Sequence, residues 1–257
     1  MMQTVLTANE NGVCTVTLNR PERLNAINAA LLVELKRVLA RANADPHTKV
    51  IILRGAGRAF CAGDDLKEFD QQARTTVEAR GYIESIQDIT RELVLGDKMV
   101  VGAIHGWAAG GGFEWLINCD FPILAIGTRC FFPEVSLGIF VTGGVTTLLP
   151  KLIGLQRAKG LILFGEQIDA HQALQMGLAW KVVPEKDLSA EAESLAQRIA
   201  ALPEASVREV KRVINRACHL DAEGAMTLET EATMKGFLDP QTLQRVSQFG
   251  RKEEKQR

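Results

Sequence analysis

Two short stretches of this chain have the makings of a site that stabilises negative charge on an oxygen. They are Phe60-Cys61-Ala62-Gly63-Asp64-Asp65-Leu66 and Ala108-Ala109-Gly110-Gly111-Gly112-Phe113-Glu114. Small side chains there let a ligand come close to the backbone. The second stretch opens a helical pattern, and the first N–H groups of a helix have no partner within it. The amides of Ala62 and Gly111, converging on one carbonyl oxygen, would hold the charge that grows there during reaction. Two acids accompany them. Glu114 lies three positions after Gly111, on the same side of the helix start. Glu134 follows Phe131-Phe132-Pro133. Two carboxyl groups beside an apolar ligand push each other's pKa values apart, so that one accepts a proton while the other gives or holds one. Singly, each feature also suits a tight turn or a dipole-favoured carboxylate. Their occurrence together at strand ends points to chemistry.

Other chemistries find little support. The four histidines, His47, His105, His171 and His219, belong to no H-E-x-x-H motif and stand beside no G-x-S-x-G elbow. Gly55-Ala56-Gly57 begins like a dinucleotide fingerprint, but Phe60 takes the place of the third glycine, and no nucleotide phosphate loop occurs. Five scattered cysteines with no C-x-x-C pair argue against a disulfide framework or a zinc cluster and fit a reducing compartment. No metal and no separate cofactor are expected. A net charge of -1 gives no reason to expect nucleic acid as a partner. No apolar run approaches the ~18 residues of a membrane span. Met1 to Glu10 lack a signal-peptide pattern, so a cytoplasmic location is expected.

The elements that must carry these residues can be read from periodicity. Val13 to Leu18 alternates as a half-exposed strand. Leu31, Leu32, Leu35, Val38 and Leu39 share one helical face. Lys49 to Leu53 reads as a buried strand running into the loop from Gly55 to Asp65. A second helix carries Ile83, Ile86, Leu93 and Val94. Strand Met99 to Ile104, the glycine turn, a helix over Phe113 to Cys119 and strand Phe121 to Ile126 follow. This alternation implies a largely parallel sheet, with both loops at strand carboxyl ends, where ligands bind. From about Leu148 the pattern is mostly helical. Asp169 suits an N-cap, Gly177 a helix stop and Pro203 a first helical turn. Helices are expected over Leu188 to Ala201 and Val207 to Cys218, and from Asn215 to Leu238 the strong breakers are Gly224 and Gly236.

Nearly the whole chain resembles the enoyl-CoA hydratase/isomerase (crotonase) family. The resemblance rests on Asn19-Arg20-Pro21 with Leu24-Asn25-Ala26, Phe60 to Leu66, the triple glycine with Glu114, Cys119-Asp120, Pro133-Glu134, and Gln167 to Val183 with Ala173 and Gly177-Leu178. It implies an α/β fold of the crotonase-like (ClpP/crotonase) type: a spiral of ββα units over residues 1–195 and a helical trimerisation region over 196–257. It implies a homotrimer, or a hexamer built as a dimer of trimers. Ala62 and Gly111 would supply the oxyanion-binding amides, and Glu114 and Glu134 the two acid/base positions. Arg23, Ala26, Ala62, Gly63, Asp64, Asp65, Leu66 and Gly111 would bind the acyl-CoA thioester, whose coenzyme A belongs to the substrate. Phe249 and Lys252 match residues that reach CoA from a neighbouring subunit.

Both acids are retained, which resembles the hydratases and implies addition of water to a 2-enoyl-CoA. One departure bears on this. The family's usual Ile-Pro-Gly-x-Gly-Gly loop is here Ile139-Phe140-Val141-Thr142-Gly143-Gly144, one residue shorter and without the proline. A drier loop would favour proton shuttling, so a double-bond isomerase is the alternative, and a non-catalytic acyl-CoA-binding assembly protein a third. His105 also stands where Asn is more usual. The acyl pocket is expected to be apolar and lined in part by the helix around Ile83 to Ile89 and by Phe140.

Overall fold

The computed structural model describes residues 3–68 and 75–254, with side chains described to Gln248. It contains two compact units, Met1–Ala201 and Leu202–Arg257. The division falls beyond residue 195 because helix α7 (Leu188–Ala200) runs unbroken across that position and packs on strands of the first unit.

The first unit is built on a six-stranded sheet. Its strands are β1 (Val5–Glu10), β2 (Val13–Leu18), β3 (Val50–Gly55), β4 (Met99–Ile104), β6 (Phe121–Ala125) and β9 (Lys181–Val183), in the order β1-β2-β3-β4-β6-β9. All neighbours pair parallel except β1 with β2. Every residue of β4 is buried, as expected of a parallel strand covered on both faces. Strand β1 was not recognised in the sequence, although Asn11-Gly12 is a strong hairpin signal. Both residues have positive φ, 50° and 81°, which suits a two-residue turn between twisted antiparallel strands.

A second, three-stranded sheet was also unforeseen. It comprises β5 (Trp107–Ala109), β7 (Arg129–Phe131) and β8 (Ile168–Asp169), ordered β5-β7-β8. These strands are too short to show a period. The glycine turn therefore leaves β5 of this small sheet rather than a strand of the main one. An isolated parallel bridge, Cys61 to Ala108, ties the two glycine-bearing loops together.

Helix α1 (Ala29–Ala44) is capped by Asn28, whose side chain accepts the Leu31 N–H at 3.0 Å, and it buries Leu31, Leu32, Leu35, Val38 and Leu39. Helix α2 (Thr76–Thr90) starts with a Thr75–Glu78 capping box and packs on α1. Leu93 and Val94 lie beyond it in a π-helical turn, Arg91–Leu95. Helix α3 (Gly111–Asn118) is buried along its whole length. Helices α4 (Val145–Ile153), α5 (Leu155–Phe164) and α6 (Ala170–Met176) follow, the last with the expected Asp169 cap and Gly177 stop at φ 82°.

The second unit comprises α8 (Glu204–Ala217), α9 (Ala222–Leu238) and α10 (Pro240–Glu254). Pro203 occupies the N-cap of α8 rather than its first turn. Gly224 does not break a helix. It sits in the first turn of α9 and donates its N–H to the Asp221 cap at 2.9 Å, so the break falls at Asp221.

Candidate active site

The loop after β3 is held by a buried polar brace. Leu24 and Asn25 have positive φ, 52° and 54°. Asn25, fully buried, donates to the Ala56 and Ala59 carbonyls at 2.9 and 2.8 Å and accepts the Arg20 N–H at 2.8 Å. An Asn satisfied on both ends of its amide, in a conformation that Asn tolerates, explains why this type stands there. Arg20 bonds the Ala26 carbonyl and pairs with Asp65 at 2.9 Å.

This brace corrects two expectations. Asp65 is 5% exposed and turned towards Arg20, so it braces the loop instead of lying along a ligand. The Ala62 N–H is committed to the Leu24 carbonyl at 3.0 Å and is not on offer to an oxyanion. The available amide lies two residues on. Ile27 donates to the Gly63 carbonyl and accepts the Asp65 N–H, both at 2.8 Å. Such a parallel bridge, Ile27 to Asp64, leaves the Asp64 N–H facing away from Ile27. That amide has no protein acceptor among the described residues.

The second loop offers Gly111. Gly110, at φ 52°, donates its N–H to Phe131 and accepts those of Phe113 and Glu114. The Gly111 N–H, first in α3, has no acceptor among the described residues, as a helix start requires. The close approach of the loops depends on Gly112, where a Cβ would lie 2.3 Å from the Cys61 carbonyl oxygen. Gly112→Ala should therefore cost about 1–3 kcal/mol of stability through overpacking. Gly160→Ala, in α5 with nothing within 4 Å of its Cβ, should be neutral or stabilising. Thermal unfolding of the two variants checks the contrast; equal midpoints would contradict it.

Asp64, Gly111, Glu114 and Glu134 line one cavity of ≈ 650 Å³. The two glutamates sit in different surroundings. Glu114, 1% exposed, accepts the Thr142 N–H at 2.6 Å, the Gly143 N–H at 2.9 Å and the Thr142 hydroxyl at 3.2 Å. Burial raises its pKa, and these three donors oppose the rise. Glu134, 6% exposed, keeps Oε2 without a partner. Burial pushes its pKa up to about 7, with the charges of Glu114 and Asp64 adding to the effect. The backbone of the short loop after Gly138, together with Thr142, thus clasps Glu114. Asn118 steadies that loop by donating to the Gly143 carbonyl at 3.0 Å.

Ile83, Ile86 and Phe140 line the cavity as the sequence suggested, joined by Val141 and Tyr82; Ile89 is buried elsewhere in the core. Arg23 and Leu66 are exposed beside the first loop, and Ala26 is buried. Phe249 and Lys252 lie outside the residues whose side chains are described. Asp64, expected to bind the thioester, lines the cavity, whereas sequence reasoning missed Tyr82 and Thr142 as lining groups. Tyr82 was within reach, since Ala79, Tyr82, Ile83 and Ile86 fall at helical spacing on one wall. Among the described residues there is no cluster of His, Cys, Asp and Glu that could hold a metal ion, and no helix long and apolar enough to cross a membrane.

The sequence profile of the family described as Enoyl-CoA hydratase/isomerase matches residues 8–250. The chain is 36% identical over 232 residues to the short-chain-enoyl-CoA hydratase of Clostridium acetobutylicum, covering 90% of this chain and 88% of that protein. It is 36% identical over 221 residues to the 1,2-epoxyphenylacetyl-CoA isomerase of Escherichia coli, covering 84% of each. The crystal structure of an enoyl-CoA hydratase from Bacillus anthracis superposes with a TM-score of 0.92 at 33% identity, over 97% of each chain. With the fold, the paired loops and both acids in place, the chain belongs to the enoyl-CoA hydratase/isomerase family.

Proposed function

We propose that this protein hydrates 2-enoyl-CoA thioesters. The observation that carries the proposal is the unequal pair of buried glutamates on one cavity with two unpaired amides. The Asp64 and Gly111 N–H groups bind the thioester oxygen and stabilise the enolate. Glu114, whose three donors favour the charged form, takes the proton of a water that attacks C3. Glu134 holds its proton near neutrality and delivers it to C2. Water's oxygen and one hydrogen end on C3. The hydrogen arriving at C2 comes from Glu134, and the proton left on Glu114 returns to Glu134 through solvent. The names of the hydratase relatives agree with this reading.

A pH dependence follows. Glu134 must be protonated to act, and its pKa is about 7. The neutral fraction falls as pH rises through that value, so kcat/KM for hydration falls on the alkaline side. Protonation of Glu114 gives the acid limb. The two limbs belong to the coupled pair. Residual activity of Glu134→Gln should lack the alkaline limb. A flat wild-type profile between about pH 6 and 9 would contradict the assignment.

Val141, buried, and Phe140 make the short loop apolar where it meets the cavity, which favours double-bond isomerisation as the second reading, with Glu134 moving a proton between C2 and C4. Side-by-side assays of 2-enoyl and 3-enoyl substrates separate the two: hydration predicts water uptake by the former, isomerisation interconversion without it. A homotrimer, or a dimer of trimers, is supported by the exposed Met226, Met234, Phe237, Leu238, Leu243 and Val246 of the helical unit.

A further inference from the structure

The steps above use the Asp64 amide and leave its carboxyl unassigned. That carboxyl lines the same cavity, where its Oδ1 accepts a hydrogen bond from the Tyr82 hydroxyl at 2.8 Å. Its Oδ2 has no partner among the described residues. The neighbouring wall of α2 is mostly aliphatic, with Ala79, Ile83 and Ile86 alongside Gln87, so the Asp64–Tyr82 pair sits among largely apolar neighbours there. Glu134, 6% exposed and with Oε2 unpaired, lines the same space. Among the described residues no Lys, Arg or His lines the cavity.

With no cation among the described lining residues, those carboxyl groups of the cavity that are charged repel a further anion, and shielding from water strengthens that repulsion. An unused carboxyl oxygen in such a place is best met by a hydrogen-bonding group on the ligand. A hydroxyl both donates and accepts, so it matches the Asp64 carboxyl whether that group is charged or neutral. Since the Asp64 amide is assigned to the thioester oxygen, its side chain reaches only the first few carbons of the acyl chain.

We infer that Asp64, steadied by Tyr82, is a specificity residue that selects acyl chains bearing a hydroxyl a few carbons from the thioester and rejects chains ending in a carboxylate. This rests on the cavity being the acyl pocket, but not on water being what reacts there. Calorimetry with saturated thioesters, which cannot be hydrated, therefore isolates it. At least one of 4-hydroxybutyryl-CoA and 5-hydroxypentanoyl-CoA should bind about tenfold more tightly than its unsubstituted parent, the effect of one hydrogen bond to a charged group. Succinyl-CoA should bind more weakly than butyryl-CoA by about the same factor or more. Asp64→Ala should abolish the hydroxyl preference. Asp64→Asn, which keeps an oxygen for Tyr82, should relieve the succinyl penalty. Tyr82→Phe, a milder change should either variant fold poorly, should reduce the preference several-fold. Equal binding of both hydroxylated chains and their parents, unchanged ratios in the variants, or no binding by any thioester overturns the inference. If the ratios hold while crotonyl-CoA gains no water, the hydration reading fails and the specificity assignment stands.

Discussion

Glu134→Gln should lower kcat for hydration of crotonyl-CoA by about 10³-fold, within the range of lost general acid catalysis, with a much smaller change in KM. Gln has nearly the same shape, so the cavity is preserved, but it carries no proton that can reach C2. The variant also removes a carboxyl whose Oε2 has no protein partner, so its fold should not suffer. Glu114→Gln should cost a similar factor for two reasons. It removes the base, and it sets an NH2 against donors that occupy both carboxylate oxygens, the Thr142 and Gly143 amides. The double variant should be little worse than either single one, because both groups serve one step. Steady-state loss of the enoyl chromophore measures all three. Retention of at least a tenth of wild-type kcat in either single variant would remove that residue from the mechanism.

The second large effect concerns the amides. Gly111→Pro removes one N–H from the start of α3, a position where proline's fixed φ is compatible with a helix. A side chain there also meets Ile27, whose Cδ1 would lie 2.6 Å from the new Cβ. Both Gly111→Pro and Gly111→Ala are therefore best made with Ile27→Val, which removes that methyl at a cost of about 0.5–1.5 kcal/mol. The alanine variant keeps the amide and should retain most activity. The proline variant should lose about 10²–10³-fold in kcat, as for one oxyanion donor. Thermal unfolding shows whether the two fold alike. Equal rates in well-folded variants would show that the Gly111 amide does not hold the developing charge.

Strands β2, β3, β4 and β6 of the main sheet, α1 and the helix carrying Glu114 were legible because each has enough residues to display a pattern, whereas β1, exposed at five of its six residues, was missed. The short strands β5, β7 and β8 were not legible either, because two or three residues carry no alternation. Site legibility followed the same logic. Gly111, Glu114 and Glu134 could be named from type and spacing, as their positions depend on a helix start and a nearby turn. The first-loop amide could not. Ala62 and Asp64 differ in where their N–H groups point, and that is decided by Leu24 and Ile27, which are far away in sequence and meet the loop through backbone bonds. Asp65 has the type and place of a ligand residue, but Arg20, 45 positions away in sequence, holds it in the fold. The shortened loop reads in the sequence as a departure that dries the pocket, whereas in the fold its amides and Thr142 hold Glu114 in place.

The central claim, that water is what adds to the bound thioester, is tested most directly by incubating the protein with crotonyl-CoA in water enriched in a heavy oxygen isotope and weighing the product. The account predicts 3-hydroxybutyryl-CoA carrying the heavy oxygen, formed by the wild type and nearly lost in Glu134→Gln. Recovery of an isomer of unchanged mass, or of crotonyl-CoA alone, from protein that binds the thioester would contradict it.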